Sequence, residues 1–70
     1  MNERVSVIVN GEPREVPAGA SLLALLAELG LDPRAVVVEH NRRIVRRPAL
    51  AQVAVAPGDA IELVHFVGGG

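Results

Sequence analysis

The sequence predicts an α+β domain, a mixed sheet with one main helix packed on one face. Three observations predict it. The β-branched run Arg4-Val5-Ser6-Val7-Ile8-Val9 leads directly into Asn10-Gly11, the strongest short hairpin signal. Leu22, Leu25, Leu26 and Leu29 then recur at helical spacing. Strand-like segments resume afterwards and close the chain. A hairpin, one helix and further strands make a two-layer domain with the helix on a single face of the sheet.

Each element has its own local reason. In the first strand Val5, Val7 and Val9 share one face. Pro13 opens a return strand through Val16; it donates no ladder hydrogen bond, so it belongs on an edge or at a strand start. Pro17-Ala18-Gly19-Ala20 breaks that strand, and Ser21 follows as N-cap of the helix. Gly30 stands where a C′ glycine belongs and Pro33 prevents continuation, which gives a helix of about 9 residues. The run Ala35 to His40, with Val36, Val37 and Val38, reads as a buried strand. Asn41-Arg42-Arg43 turns the chain into a short strand at Ile44-Val45. Pro48 to Val55 has no period and reads as a loop with a single helical turn. Pro57-Gly58-Asp59 is a turn, and the last strand runs from Ile61 to Val67. The first and last strands are the most strand-like and are expected to be central neighbours. This order is the β-grasp arrangement, expected as a domain over residues 1–67 with a flexible glycine tail at 68–70.

Composition narrows the function. A chain of 70 residues is one small domain, burying only about 60% of the surface it exposes when unfolded. Its core is aliphatic, with Phe66 the only aromatic residue. The net charge is −1 and the pI about 6.0. Without Trp, Tyr or a basic surplus, no nucleic-acid partner is expected. Cysteine is absent, which removes disulfides, thiolate metal sites and a cysteine nucleophile. All seven basic residues are Arg, so the N-terminus is the only reactive amine. No apolar stretch is long enough to span a membrane, and no signal peptide precedes the first strand; the expectation is a cytoplasmic protein with no membrane partner.

The ending Val67-Gly68-Gly69-Gly70 is the most suggestive feature. Glycine has no Cβ, so such a tail is slim enough to enter a narrow channel and offers an unhindered carboxylate. The alternative is an ordinary frayed terminus.

Several segments fall in order along nearly the whole chain: Val9-Asn10-Gly11-Glu12, Ser21-Leu22-x-x-Leu25-Leu26, Val38-Glu39-x-Asn41, Ile44-Val45-x-Arg47 and Pro57-Gly58-Asp59-x-Ile61-Glu62. With the terminal glycines they resemble ThiS, the ubiquitin-like family of bacterial sulfur carriers in thiamine biosynthesis. Gly68 extends the usual terminal Gly-Gly by one residue. The MoaD family of molybdopterin synthase small subunits shares the fold and the Gly-Gly end, but usually has a longer chain and a tail richer in Pro and Phe.

The resemblance implies a protein co-substrate and carrier rather than an enzyme. An E1-like, ThiF-type adenylyltransferase would use ATP and Mg²⁺ to join the Gly70 carboxylate to AMP. A sulfur donor system would displace AMP and leave a thiocarboxylate on Gly70. That sulfur would pass to a ThiG-type thiazole synthase. Gly68 and Gly69 would thread the tail. The chain has no phosphate-binding glycine loop of its own, so no cofactor is expected on it. A carrier for molybdopterin or for tRNA thiolation is the alternative within this chemistry. A ubiquitin-like binding module with an inert tail is the alternative outside it.

Partner-contact candidates follow from position. If Ile61 and Leu63 face the core, Val64 and Phe66 face the other way. Phe66 and Val67 lie where little core remains to cover them, so Phe66 is read as a partner contact, with a core position as the alternative. Arg42, Arg43, Arg46 and Arg47 form either a solvated hairpin or a docking patch, with Arg42 and Arg46 as its candidates. His40 and His65 lack further ligands at metal spacing, so no metal site is expected. Glu39 and Glu62 read as the polar face of strands.

Overall fold

Asn10 and Gly11 take φ of 51° and 82°, the two positive values that a two-residue type I′ hairpin turn demands. They join β1 (Arg4–Val9) to β2 (Glu12–Pro17) in an antiparallel pair. This computed structural model describes residues 3–66. Three further strands complete the sheet: β3 (Val36–His40), β4 (Arg43–Val45) and β5 (Ala60–His65). The strand order is β2-β1-β5-β3-β4. The first and last strands are thus central neighbours and run parallel, with Ile8 opposite Ala60 and Val9 opposite Ile61. Pro13 sits on the edge strand β2, where its missing donor costs nothing. One helix, α1 (Leu22–Glu28), packs on one face. The arrangement is the β-grasp fold.

The helix is held at both ends by local chemistry. Ser21 Oγ accepts from Ala24 N–H at 3.0 Å. At the other end Gly30 N–H donates to Ala27 O at 3.1 Å and Leu31 N–H to Leu26 O at 2.9 Å. These are the two bonds of a Schellman motif, with Gly30 at φ 74° in its left-handed position. The helix spans seven residues, shorter than the nine expected, because Leu29 already serves as the C-cap.

The core joins Val7, Val9, Val16, Val36, Val38 and Ile61 of the sheet to Leu22, Leu25 and Leu26 of the helix, with Leu29 packed partly against them. Complete burial of a leucine contributes about 1.5–3 kcal/mol. Leu50 and Val55, from the segment without periodicity, are also buried. That segment starts with the 3₁₀ turn Arg47–Ala49. It then accepts the first helical donors, Leu23 N–H onto Leu50 O at 3.0 Å and Leu22 N–H onto Val53 O at 2.9 Å. The loop therefore caps the helix as well as completing the core.

Two expectations need correction. The valine run is not buried on both faces: Val36 and Val38 point to the helix, whereas Val37 is 40% exposed. Among the described residues a second layer covers only one side of the sheet, and a continuous apolar run does not reveal that. Arg43 belongs to β4 rather than to the turn, which consists of Asn41 and Arg42.

Candidate functional site

β5 carries the chain out of the centre of the sheet toward the C-terminus. Val67, the expected partner contact, the threading residues Gly68 and Gly69, and Gly70, the expected sulfur-carrying residue, lie outside the described residues. Ile61 is buried facing the helix and Leu63 lies beside it, so Glu62, Val64 and Phe66 project from the outer face. Val64 is 59% exposed and Phe66 46% exposed. Phe66 N–H still donates to Ala35 O at 3.0 Å, so the ladder with β3 continues to the last described residue.

These residues do not stand alone. Val37 lies directly opposite Val64. Ile44 is next on the same face, opposite Glu39, and is exposed. Val37, Ile44, Val64 and Phe66 thus form an apolar patch on the uncovered side of the sheet, beside the point where the tail leaves. Contiguous exposed apolar surface of this kind marks interaction sites.

The charged residues border that patch unequally. Arg46 and Arg47 line a shallow groove with Val37, Ile44 and Phe66. Arg42 lines a neighbouring groove with Glu39, Glu62 and Val64. Glu39 and Glu62 lie opposite one another across β3 and β5, a like-charge pairing that weakens a sheet. Arg42 has φ of 72°, in the left-handed region that glycine occupies at far lower cost. Strained residues of this kind concentrate at functional sites. Asn41, at φ 51°, supplies the other half of the same type I′ turn.

A second polar cluster pins the β3–β4 turn to the start of β5. His40 Nε2 lies 2.7 Å from Asp59 Oδ2. Asn41 Nδ2 donates to Asp59 Oδ1 at 3.1 Å, and Ala56 N–H to Asp59 Oδ2 at 2.8 Å. Asn41 Oδ1 accepts from Ala60 N–H at 2.9 Å. Partial burial works against the Asp59 carboxylate, but the hydrogen bonds from His40, Ala56 and Asn41 outweigh it and hold its pKa below the ordinary value. The residues stand at the end of the sheet remote from the tail, and their role is structural. Among the described residues no three His, Cys, Asp or Glu side chains converge on a metal position. Among the described residues no helix is long and apolar enough to cross a membrane.

The model of the ThiS family matches residues 7–70. The chain belongs to the ThiS family. It is 44% identical over 46 residues to the sulfur carrier protein ThiS of Bacillus subtilis, covering 66% of this chain and 70% of that one. The crystal structure of the thiamine biosynthesis protein ThiS from Geobacter metallireducens superposes with a TM-score of 0.81 at 33% identity, covering 94% of this chain and all of the other. The chain is also 48% identical over 66 residues to a thiazole synthase of Paramagnetospirillum magneticum; it spans 20% of that protein's length.

The structure places the expected contacts Val64, Phe66, Arg42 and Arg46 around one face, together with Val37 and Ile44, which the sequence alone does not single out. Their signal was present: once β3 is paired with β5, alternation must place one valine of the run outward.

Proposed function

We propose that this ThiS-family chain is a sulfur carrier of thiamine biosynthesis, and that Gly70 is the residue that carries the sulfur. The observation that carries the reading is the family match continuing through residue 70 and so including the terminal glycines. A carboxylate is a poor electrophile and must be activated. A ThiF-type adenylyltransferase, using its own ATP and Mg²⁺, joins the Gly70 carboxylate to AMP and releases pyrophosphate. Sulfide supplied by a sulfur donor attacks the acyl carbon and forms the C–S bond as the C–O bond to AMP breaks, which leaves a thiocarboxylate. Its sulfur is the nucleophile delivered to a ThiG-type thiazole synthase. Splitting the transfer in this way replaces one difficult step by two easier ones. The identity with a protein named thiazole synthase supports that partner.

In this reading the chain is a co-substrate and the chemistry is catalysed by its partners, in the cytoplasm. Gly68 and Gly69 keep the approach narrow. Val64 and Phe66, with Val37 and Ile44, form the docking surface, and Val67, next in sequence, is a further contact. Arg42 and Arg46 steer encounter. The exposure of Val37, Ile44, Val64 and Phe66 supports this assignment, and Arg42 and Arg46 line the two grooves that border them.

The test is a pair of altered tails. Gly69→Val adds a β-branched side chain where a narrow channel must pass. Its adenylation rate should fall by orders of magnitude with an unchanged circular dichroism spectrum. Capping the Gly70 carboxylate as an amide should abolish adenylation. Wild-type rates for Gly69→Val would overturn the threading role, and sulfur delivery by the amide would overturn the carrier role.

A further inference from the structure

The parallel pairing of β1 with β5 ends early. It includes Ile8 with Ala60 and Val9 with Ile61, and then the chain turns back into β2. β5 continues for four more residues, and among the described residues β3 is the only strand paired with them. Asn10 extends the missing strand by one step. Its N–H donates to Ile61 O at 2.9 Å. Its side-chain amide then acts as a further peptide group, with Oδ1 accepting from Leu63 N–H at 2.7 Å and Nδ2 donating to Leu63 O at 3.2 Å.

The backbone groups of β5 alternate in direction. Ala60 O accepts from Asn41 N–H and Phe66 N–H donates to Ala35 O, so even-numbered residues face β3. Ile61 and Leu63 face the side of β1. The next residue to face that side is His65, two positions beyond the Asn10 amide. Beside it lies a cavity of about 340 Å³ lined on one side by Leu29, Leu31 and Leu63 and on the other by Glu12, Arg14 and His65.

We propose that the edge of β5 at His65 receives an extended segment of the enzyme that activates the C-terminal carboxylate, as an added strand collinear with β1. The proposal rests on the reading that the Gly70 carboxylate reacts. From Phe66 to that carboxylate there are only four residues, which span at most about 14 Å when extended. An enzyme that encloses the carboxylate must therefore press against the end of β5. Contact there strips water from the His65 N–H and C=O, and buried backbone groups left without partners are costly. An extended backbone supplies both partners at once, as in other cases of strand addition. Its side chains alternate, so one of them enters the cavity, between the apolar wall of Leu29, Leu31 and Leu63 and the charged side chains of Glu12 and Arg14.

The test uses the full chain made by chemical synthesis with the His65 amide nitrogen methylated, and the ThiF-type adenylyltransferase of the same organism. Methylation removes one donor and blocks approach along the edge without altering any side chain. KM for adenylation should rise by about tenfold or more, the equivalent of one to two net hydrogen bonds, while kcat changes little. An unchanged KM would overturn the proposal. Where methylation disturbs the circular dichroism spectrum, amide hydrogen exchange of the unmodified chain decides instead. The His65 amide should exchange at least about tenfold more slowly in the complex, and exchange at the free rate would overturn the proposal. A synthetic unmodified chain that is not adenylated at all removes the reading beneath, and the proposal with it.

Discussion

Leu26→Ala is the most direct probe of how the helix meets the sheet. Leu26 is 0% exposed and sits among Leu22, Leu25 and the inward valines. Truncating a leucine in such a position costs about 2–5 kcal/mol, the spread reflecting how far the cavity collapses. A core of this size rarely supplies more than about 3–5 kcal/mol of net stability, so the loss takes half of it or more. With a urea slope near 1 kcal/mol per M, the unfolding midpoint should fall by about 2 M or vanish. Phe66 is the only aromatic residue, so far-ultraviolet circular dichroism is the suitable signal. Leu23→Ala is the internal control. Leu23 belongs to the same helix but is 38% exposed, and its truncation should cost less than about 1 kcal/mol. Equal midpoint shifts for the two variants would refute the assignment of the buried face.

Asp59 predicts a pH dependence. Its pKa is lower in the folded protein than in the unfolded chain, so its stabilisation is present above the ordinary carboxylate pKa and is lost as pH falls through the lower, folded value. The urea midpoint of the parent should therefore fall more steeply below about pH 4 than that of Asp59→Asn; parallel profiles would refute this. Phe66→Ala should leave the unfolding midpoint close to that of the parent and weaken binding to the adenylyltransferase, as measured by calorimetry; unfolding would show that Phe66 is core. Arg42→Gly relieves a positive φ but loosens the unfolded chain, so stability should change by less than about 1 kcal/mol. Association at low salt, followed by stopped flow, should slow and become less salt-dependent; an unchanged rate would return Arg42 to an ordinary solvated turn.

Elements with strictly local causes were legible in the residues. Asn10-Gly11 forms the hairpin turn, Ser21 caps the helix, the leucine stripe faces inward and Gly30 ends it, because each depends on neighbours within a few positions. What escaped depends on contacts distant in sequence. Leu50 and Val55 enter the core from a segment with no period, since the helix N-terminus rather than a repeating pattern holds it in place. The Asn10 amide reaches Leu63 across 53 positions, and His40 meets Asp59 only because β3 and β5 are paired. At the candidate site, alternation located Val64 and Phe66. Val37 was hidden in an apolar run that only the one-sided layering resolves, and Ile44 in a short strand whose outward face appears only on pairing with β3.

A sulfur-carrying Gly70 has a direct mass signature. Intact mass spectrometry of the chain after incubation with the ThiF-type adenylyltransferase, ATP, Mg²⁺ and a sulfur source tests it most directly. The account predicts a gain equal to the difference between one sulfur and one oxygen atom, mapped by fragmentation to Gly70 and absent when ATP is withheld. A chain of unchanged mass under conditions in which the same enzyme thiolates another ThiS protein would contradict it.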